Sequence, residues 1–196
     1  LLRAGPYVVY RGRRAHDMRP VLLKIPARAL PRGPEADALE REFELLRGLS
    51  LAGVPSALDF IQDTPCLVLD DAGLLPVATV SSPAAGELPW FFTLAIELSA
   101  VLSRLHHANL VCGSVSPSSL LVSQDGRIVH VLDLSLAAGS SRDTTMKPTL
   151  TWGATSYTSP EQTGRINRSF DHRSGLYALG ATLYELLIGA PPFRSD

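Results

Sequence analysis

The apolar positions fall into two regimes. Early runs are short, β-branched and aromatic, whereas later ones repeat every three or four residues. Tyr-Val-Val-Tyr at 7–10 reads as a strand, and the polar stretch 11–20 turns the chain into a second apolar run at 21–25. Gly33-Pro34 opens a helix: proline suits a first-turn position, and Glu35 and Asp37 lie at the positive end of its dipole. Leu39, Phe43, Leu46 and Leu49 give that helix its apolar stripe. The run 66–69, bounded by Pro65 and Asp70-Asp71, predicts a short buried strand. The segment 71–86 is rich in Gly, Pro, Ser and small residues and reads as a linker between two lobes.

From 90 to 107 the positions Phe91, Leu94, Leu98, Val101, Leu102 and Leu105 predict a long amphipathic helix. Runs at 120–122 and 128–132 around the turn Asp125-Gly126 predict a hairpin. The stretch 140–157 is polar, Thr-rich and without period, a loop of a length that is usually functional or disordered. A second long helix spans 171–189. It is apolar nearly all round (Leu176, Tyr177, Leu179, Leu183, Leu186, Leu187), the pattern of a helix buried at a domain centre, and Gly189 with Pro191-Pro192 stops it. No internal repeat is visible.

Composition narrows the class. The 196 residues, 45% hydrophobic and 19% charged, suffice for one globular domain with a sizeable core. A net charge of −1 gives no bulk pull toward nucleic acid or anionic membrane. Cys66 and Cys112 match no metal or disulfide framework and read as buried, reduced thiols of a cytosolic protein. No apolar run reaches the roughly 18–20 residues of a membrane span, and no signal peptide is visible. These features predict a cytoplasmic protein without nucleic-acid or membrane partners. A chain that begins at Leu1 rather than Met is expected to be a piece of a longer one.

The order of elements, taken with several motifs, resembles the eukaryotic-type protein kinase fold. The resemblance is closest to the serine/threonine kinase-like domain at the front of large hybrid sensor kinases, chains that join it to an ATPase-like module and a histidine kinase. Its most specific piece is the run Ser159, Pro160, Glu161, Gln162, Thr163, Gly164, Arg165, Ile166, Asn167, Arg168, followed by Asp171 and Arg173. The resemblance covers the whole chain. It implies an α+β, bilobal protein-kinase-like fold. A small antiparallel sheet plus one helix, the family's helix C, would form an N-terminal lobe over 1–72. A mainly helical C-terminal lobe over 73–196 would stop after the central helix, without the later helices.

It also implies roles. Lys24, in Val21-Leu22-Leu23-Lys24, stands where the family keeps the strand lysine that holds the α- and β-phosphates, and Glu42 stands for its helix-C partner. Taken by themselves, Lys24 could equally be a strand-end surface lysine, and Glu42, between Glu40 and Glu44, a residue of a solvated helix face. Asp133, in Asp133-Leu134-Ser135, resembles the metal-holding aspartate of Asp-Phe-Gly; the alternative is an aspartate ending a strand in a local turn. Leu69 matches the residue gating the back of the nucleotide pocket, and Asp70 to Ala72 the hinge whose backbone would meet adenine.

The catalytic loop departs from the family. Aligned with His-Arg-Asp-Leu-Lys-Pro-x-Asn is the stretch from Cys112 to Ser119, its register held by Leu105-His106 upstream, by Pro117 and by the strand 120–122. Ser114 replaces the aspartate that accepts the substrate proton; a positioned general base is worth about 10²–10⁴ in rate. Ser116 replaces the phosphoryl-stabilising lysine, and Ser119 the metal-binding asparagine. Ala154 replaces a threonine that bonds the catalytic aspartate, and Gly175 an aspartate that bonds the loop backbone. Five small residues at positions that meet in the fold imply a pseudokinase: a regulatory or scaffolding domain with weak or absent ATP and Mg²⁺ binding. Its partners would be other domains of a longer signalling chain or separate proteins. The alternative is an active serine/threonine kinase that keeps Lys24, Glu42 and Asp133. A carboxylate from elsewhere, Asp125 for example, reaching the position of Ser114 would favour that alternative. No Gly-x-Gly-x-x-Gly is present; only Gly5 and Gly12 flank the first strand pair.

Remaining features carry blander readings. His106-His107 is expected to serve as positive charge at a helix C-terminus rather than as a metal site. Thr144, Thr145, Thr149 and Thr151 lie in the activation-like loop, as phosphorylation sites or simply as a mobile polar loop. Arg165, Arg168 and Arg173 form a basic group better suited to docking or anchoring than to nucleic acid.

Overall fold

The β-branched runs of the first quarter form strands, and the polar segments between them turn the chain back each time. In the computed structural model, residues 2–28, 33–80, 88–112, 115–134, 138–139, 155–163 and 171–193 are described. Strands β1 (Leu2–Ala4), β2 (Tyr7–Arg13) and β3 (Pro20–Pro26) lead to helix α1 (Pro34–Leu46), then to β4 (Ala57–Ile61) and β5 (Cys66–Asp70). These five strands make one antiparallel sheet in the order β1-β2-β3-β5-β4. After it come β6 (Leu75–Pro76), the short α2 (Val77–Val80), α3 (Leu88–His107), β7 (Leu110–Val111), β8 (Leu120–Val122), β9 (Val129–Val131), β10 (Ala138–Gly139) and α4 (His172–Ile188). The architecture is α+β and protein-kinase-like, with an antiparallel N-terminal sheet followed by a helical half that carries small two- and three-stranded sheets.

Alternation along β3 sorts its side chains. Leu22, Lys24 and Pro26 face the main core, while Val21, Leu23 and Ile25 pack with Cys66, Val68 and Leu58 on the opposite face. In α1 the buried residues are Ala36, Leu39, Glu42 and Leu46, one stripe at helical spacing with a carboxylate set into it. Each of the aliphatic side chains on such a stripe contributes roughly 1.5–3 kcal/mol when fully removed from water. Burial of a charge there costs instead, unless a partner meets it.

The helix α3 buries Phe91, Leu94, Leu98, Val101, Leu102 and Leu105 against α4 and β9. By length and composition alone it could cross a membrane, contrary to the expectation that no apolar run is long enough; its buried stripe packs against α4 and β9. The hairpin β8–β9 forms where expected, with Leu121 opposite His130. Gly126 (φ 72°) makes its turn beneath the Trp90 ring, whose Nε1 donates to the Gln124 carbonyl at 3.1 Å.

Three expectations are corrected. The helix α4 is not buried all round: Leu176, Tyr184, Leu187 and Ile188 are exposed, and the face turned inward is made of Ser174, Gly175, Ala178, Ala181, Thr182 and Leu186. Close backbone approach selects small residues there, while Leu179 and Leu183, half-buried, pack against the core beside them. The segment after Asp71 is not wholly linker, since it contains β6 and α2. Strands β1 and β4 went unpredicted: the first has only three residues, and the second is a sheet-edge strand with no fully buried residue. Cys66 and Cys112 are buried and free of disulfides.

Candidate functional site

Where β3, α1 and the end of β9 converge, three charges meet out of water. Lys24 Nζ lies 2.7 Å from Glu42 Oε2, 3.1 Å from Asp133 Oδ1 and 3.1 Å from the Leu132 carbonyl, so all three ammonium protons have acceptors. Side-chain exposure of 0%, 1% and 5% for Lys24, Glu42 and Asp133 keeps the cluster almost wholly out of water among the described residues. The second Glu42 oxygen accepts the Leu134 amide at 3.0 Å. Above the ammonium sits the ring of Tyr7, its centroid 4.5 Å away. Burial by itself would pull the Lys24 ammonium down, but the Asp133 and Glu42 carboxylates overcome it and hold it above the ordinary lysine range. Burial pushes the Glu42 carboxyl up, the negative charge of Asp133 adds to the push, and Lys24 resists it.

The surface-lysine and solvated-face alternatives for Lys24 and Glu42 therefore do not hold. The signal separating Glu42 from its neighbours was present in the periodicity: Glu42 falls on the stripe of Leu39 and Leu46, while Glu40 and Glu44 face solvent. Leu69 is fully buried in β5, opposite Leu22 and Ala57. The hinge segment is tied to the sheet by ion pairs. Asp70 meets Arg19 at 3.0 Å, and Asp71 meets Arg11 at 2.5 Å and accepts the Gly73 amide at 2.9 Å; Ala72 is exposed.

The catalytic-loop counterpart is described from Val115 onward; Ser114, with Gly113, lies outside the described residues. Residues Pro117–Ser119 form a single 3-10 turn. The Ser119 hydroxyl donates to the Ser116 carbonyl at 2.9 Å and accepts the Ser116 amide at 3.1 Å, while the Ser116 and Ser118 hydroxyls pair at 2.9 Å. The serines are thus engaged in holding their own turn. Asp125 stays in the β8–β9 turn, bonded to Ser123 and to the Arg127 amide.

From below, α4 supports this loop in a way the sequence did not reveal. Buried Thr182 donates its hydroxyl to the Val115 carbonyl at 2.9 Å, and Gly175 lies so close to the preceding segment that a Cβ there would sit 2.7 Å from the Cys112 carbonyl oxygen. Thr182 is two turns along the face that carries Gly175, a polar residue in an apolar helix, and that contrast was the available signal. His106 differs from its expected role. Burial, with His172 and His107 nearby, holds its imidazole below the ordinary histidine range, so it is no helix-end cation at neutral pH. The signature after the activation-like loop is partly described. The Ser159 amide and hydroxyl both donate to Gln162 Oε1, and Ser174 donates to Glu161 at 2.6 Å. Arg173 is taken up by Asp171. Thr144, Thr145, Thr149, Thr151, Ala154, Arg165 and Arg168 lie outside the described residues.

Sheet, helix and buried lysine–glutamate–aspartate cluster together define a protein-kinase-like domain. Comparison with known proteins agrees. The chain is 31% identical over 198 residues to serine/threonine-protein kinase 36 of Pongo abelii, covering 94% of this chain and 14% of that one. It is 31% identical over 199 residues to the DNA damage-responsive serine/threonine-protein kinase RqkA of Deinococcus radiodurans, covering 98% and 29%. To serine/threonine-protein kinase PknL of Mycobacterium bovis it is 30% identical over 200 residues, covering 98% and 48%. The chain thus spans under half the length of each of these relatives. No protein-family model matches it.

Proposed function

We propose that this chain is a pseudokinase: a protein-kinase-like regulatory or scaffolding domain of a longer signalling protein, of the hybrid sensor kinase kind, that does not transfer phosphate. The observation that carries the reading is the closed serine turn at Pro117–Ser119. A kinase needs a metal-binding side chain and a cation in this loop. Here the buried hydroxyls of Ser116 and Ser119 are turned onto their own backbone and onto each other, and neither carries the charge that would stabilise a transferring phosphoryl group. Asp125, one candidate carboxylate for the missing base, is instead bonded within the hairpin turn to Ser123 and the Arg127 amide.

A second reading, an active serine/threonine kinase, is favoured by the 2.7 Å Lys24–Glu42 pair and the adjacent Asp133. The two separate on incubation of the chain, within the protein that carries it, with radiolabelled ATP and Mg²⁺. The expected result is no label on the protein or on a generic acceptor. Transfer that disappears in Asp133→Asn would establish the second reading instead.

A further inference from the structure

The lysine–carboxylate cluster lies under a hairpin, and that hairpin bears on whether the cleft can take the ligand its fold implies. Strands β1 and β2 are joined by the two-residue turn Gly5-Pro6, with Gly5 in the left-handed region (φ 59°). The turn rests on the cluster: a Cβ at Gly5 would lie 3.7 Å from Asp133 Oδ2, while the other oxygen of that carboxylate already holds Lys24. Tyr7, at 1% exposure, lays its ring 4.5 Å from Lys24 Nζ and points its hydroxyl to the Glu35 carbonyl at 3.3 Å. Strand β1 packs onto the serine turn Pro117–Ser119.

Glycine-rich loops admit phosphates because backbone amides without side chains can close on the oxygens. The motif of that loop ends Gly-x-Val. If Val9, which pairs with Lys24, is its valine, Tyr7 takes the place of the last glycine. A phosphate chain and its metal would then need the volume held by the ring and the turn. The residues present do not fit a magnesium–nucleotide in this arrangement.

We propose that the β1–β2 hairpin is a built-in plug, in which Tyr7 caps Lys24 and the Gly5-Pro6 turn covers Asp133, so that the cleft excludes magnesium nucleoside triphosphates until the hairpin is lifted. The proposal rests on reading Lys24, Glu42 and Asp133 as the counterpart of a kinase nucleotide site. The ring holds the ammonium by its negative face and excludes water from the cluster, so the closed state is stable without ligand. A ligand that needs the open state binds more weakly by the fraction of molecules in which that state is populated.

The test is titration with trinitrophenyl-ATP and Mg²⁺, read by fluorescence and by the melting temperature. It uses the wild-type chain, Tyr7→Gly, and a chain with two glycines inserted between Gly5 and Pro6. The insertion loosens the turn without emptying the core and serves if Tyr7→Gly does not fold. The wild type is expected to show no saturable signal and no rise in melting temperature at millimolar nucleotide. A folded loosened variant is expected to bind at least about tenfold more tightly, as release of a competing closed state allows. Saturable wild-type binding with a melting rise of about 4 °C or more overturns the plug, as does a folded, loosened variant that binds no better than wild type. Transfer of radiolabelled phosphate from γ-labelled ATP and Mg²⁺, measured with the same three proteins, keeps the two proposals apart. Wild-type binding without transfer sinks the plug alone, whereas wild-type transfer sinks the pseudokinase reading.

Discussion

Replacing Lys24 by methionine asks the most of the structure. The change keeps an apolar stem of nearly the same length and removes the terminal ammonium with its charge and three hydrogen bonds. At an effective dielectric of about 20, unit charges at the observed separations attract by about 6 kcal/mol (Lys24–Glu42, 2.7 Å) and about 5 kcal/mol (Lys24–Asp133, 3.1 Å). Desolvation of the ions offsets much of this, so the intact cluster stabilises little in net terms. Removing one partner is different, because it strands two carboxylates in a dry site, and such losses run to about 3–5 kcal/mol. The loss must also depend on pH in a definite direction. Without Lys24, burial and mutual repulsion raise a carboxyl of the Glu42–Asp133 pair above its unfolded value near 4.3. A group raised in the folded state stabilises below its unfolded pKa, and that contribution is lost as pH rises through its folded pKa. The variant should therefore be most destabilised at pH 8 and less so at pH 5, where a shared proton relieves the pair. Urea unfolding of wild type and Lys24→Met at both values, followed by circular dichroism, measures this. A loss under about 1 kcal/mol at pH 8, the worth of an exposed pair, or an equal loss at both pH values, would refute the closed-cluster argument.

Two further outcomes test the support beneath the loop. Gly175→Ala places a methyl 2.7 Å from the Cys112 carbonyl oxygen. Overpacking costs about 1–3 kcal/mol against a helix-propensity gain of at most about 1 kcal/mol, so the urea midpoint should fall; an unchanged or higher midpoint contradicts the close approach. Asp171 caps α4 by accepting the Arg173 amide, and the Arg173 guanidinium pulls its carboxyl down to about 2. Asp171→Ala should cost about 1 kcal/mol at pH 7. Because the folded pKa lies below the unfolded one, near 3.9, the difference from wild type should shrink as pH falls from about 4 toward 2, which acid titration of the two proteins will show.

Periodicity and turn chemistry in the sequence alone determined β2, β3, β5, α1, α3, the β8–β9 hairpin and the stops of α4, because these depend on residues near one another in the chain. The spacing of Leu39, Glu42 and Leu46 is consistent with a carboxylate on a buried face, but the residues alone left a solvated face open, and only the fold decided it. What no local pattern contained was where separate segments meet. Lys24, Glu42 and Asp133 are joined across as many as 109 positions, and only the packing of sheet on helix turns three ordinary charges into one closed cluster. The same holds for Tyr7 over Lys24, for the serines of Pro117–Ser119 turned upon themselves, and for the inward face of α4. There the carbonyls of Cys112 and Val115 selected glycine and threonine. Burial and partner, not residue type, decide what each of these groups can do, and both are properties of the folded chain.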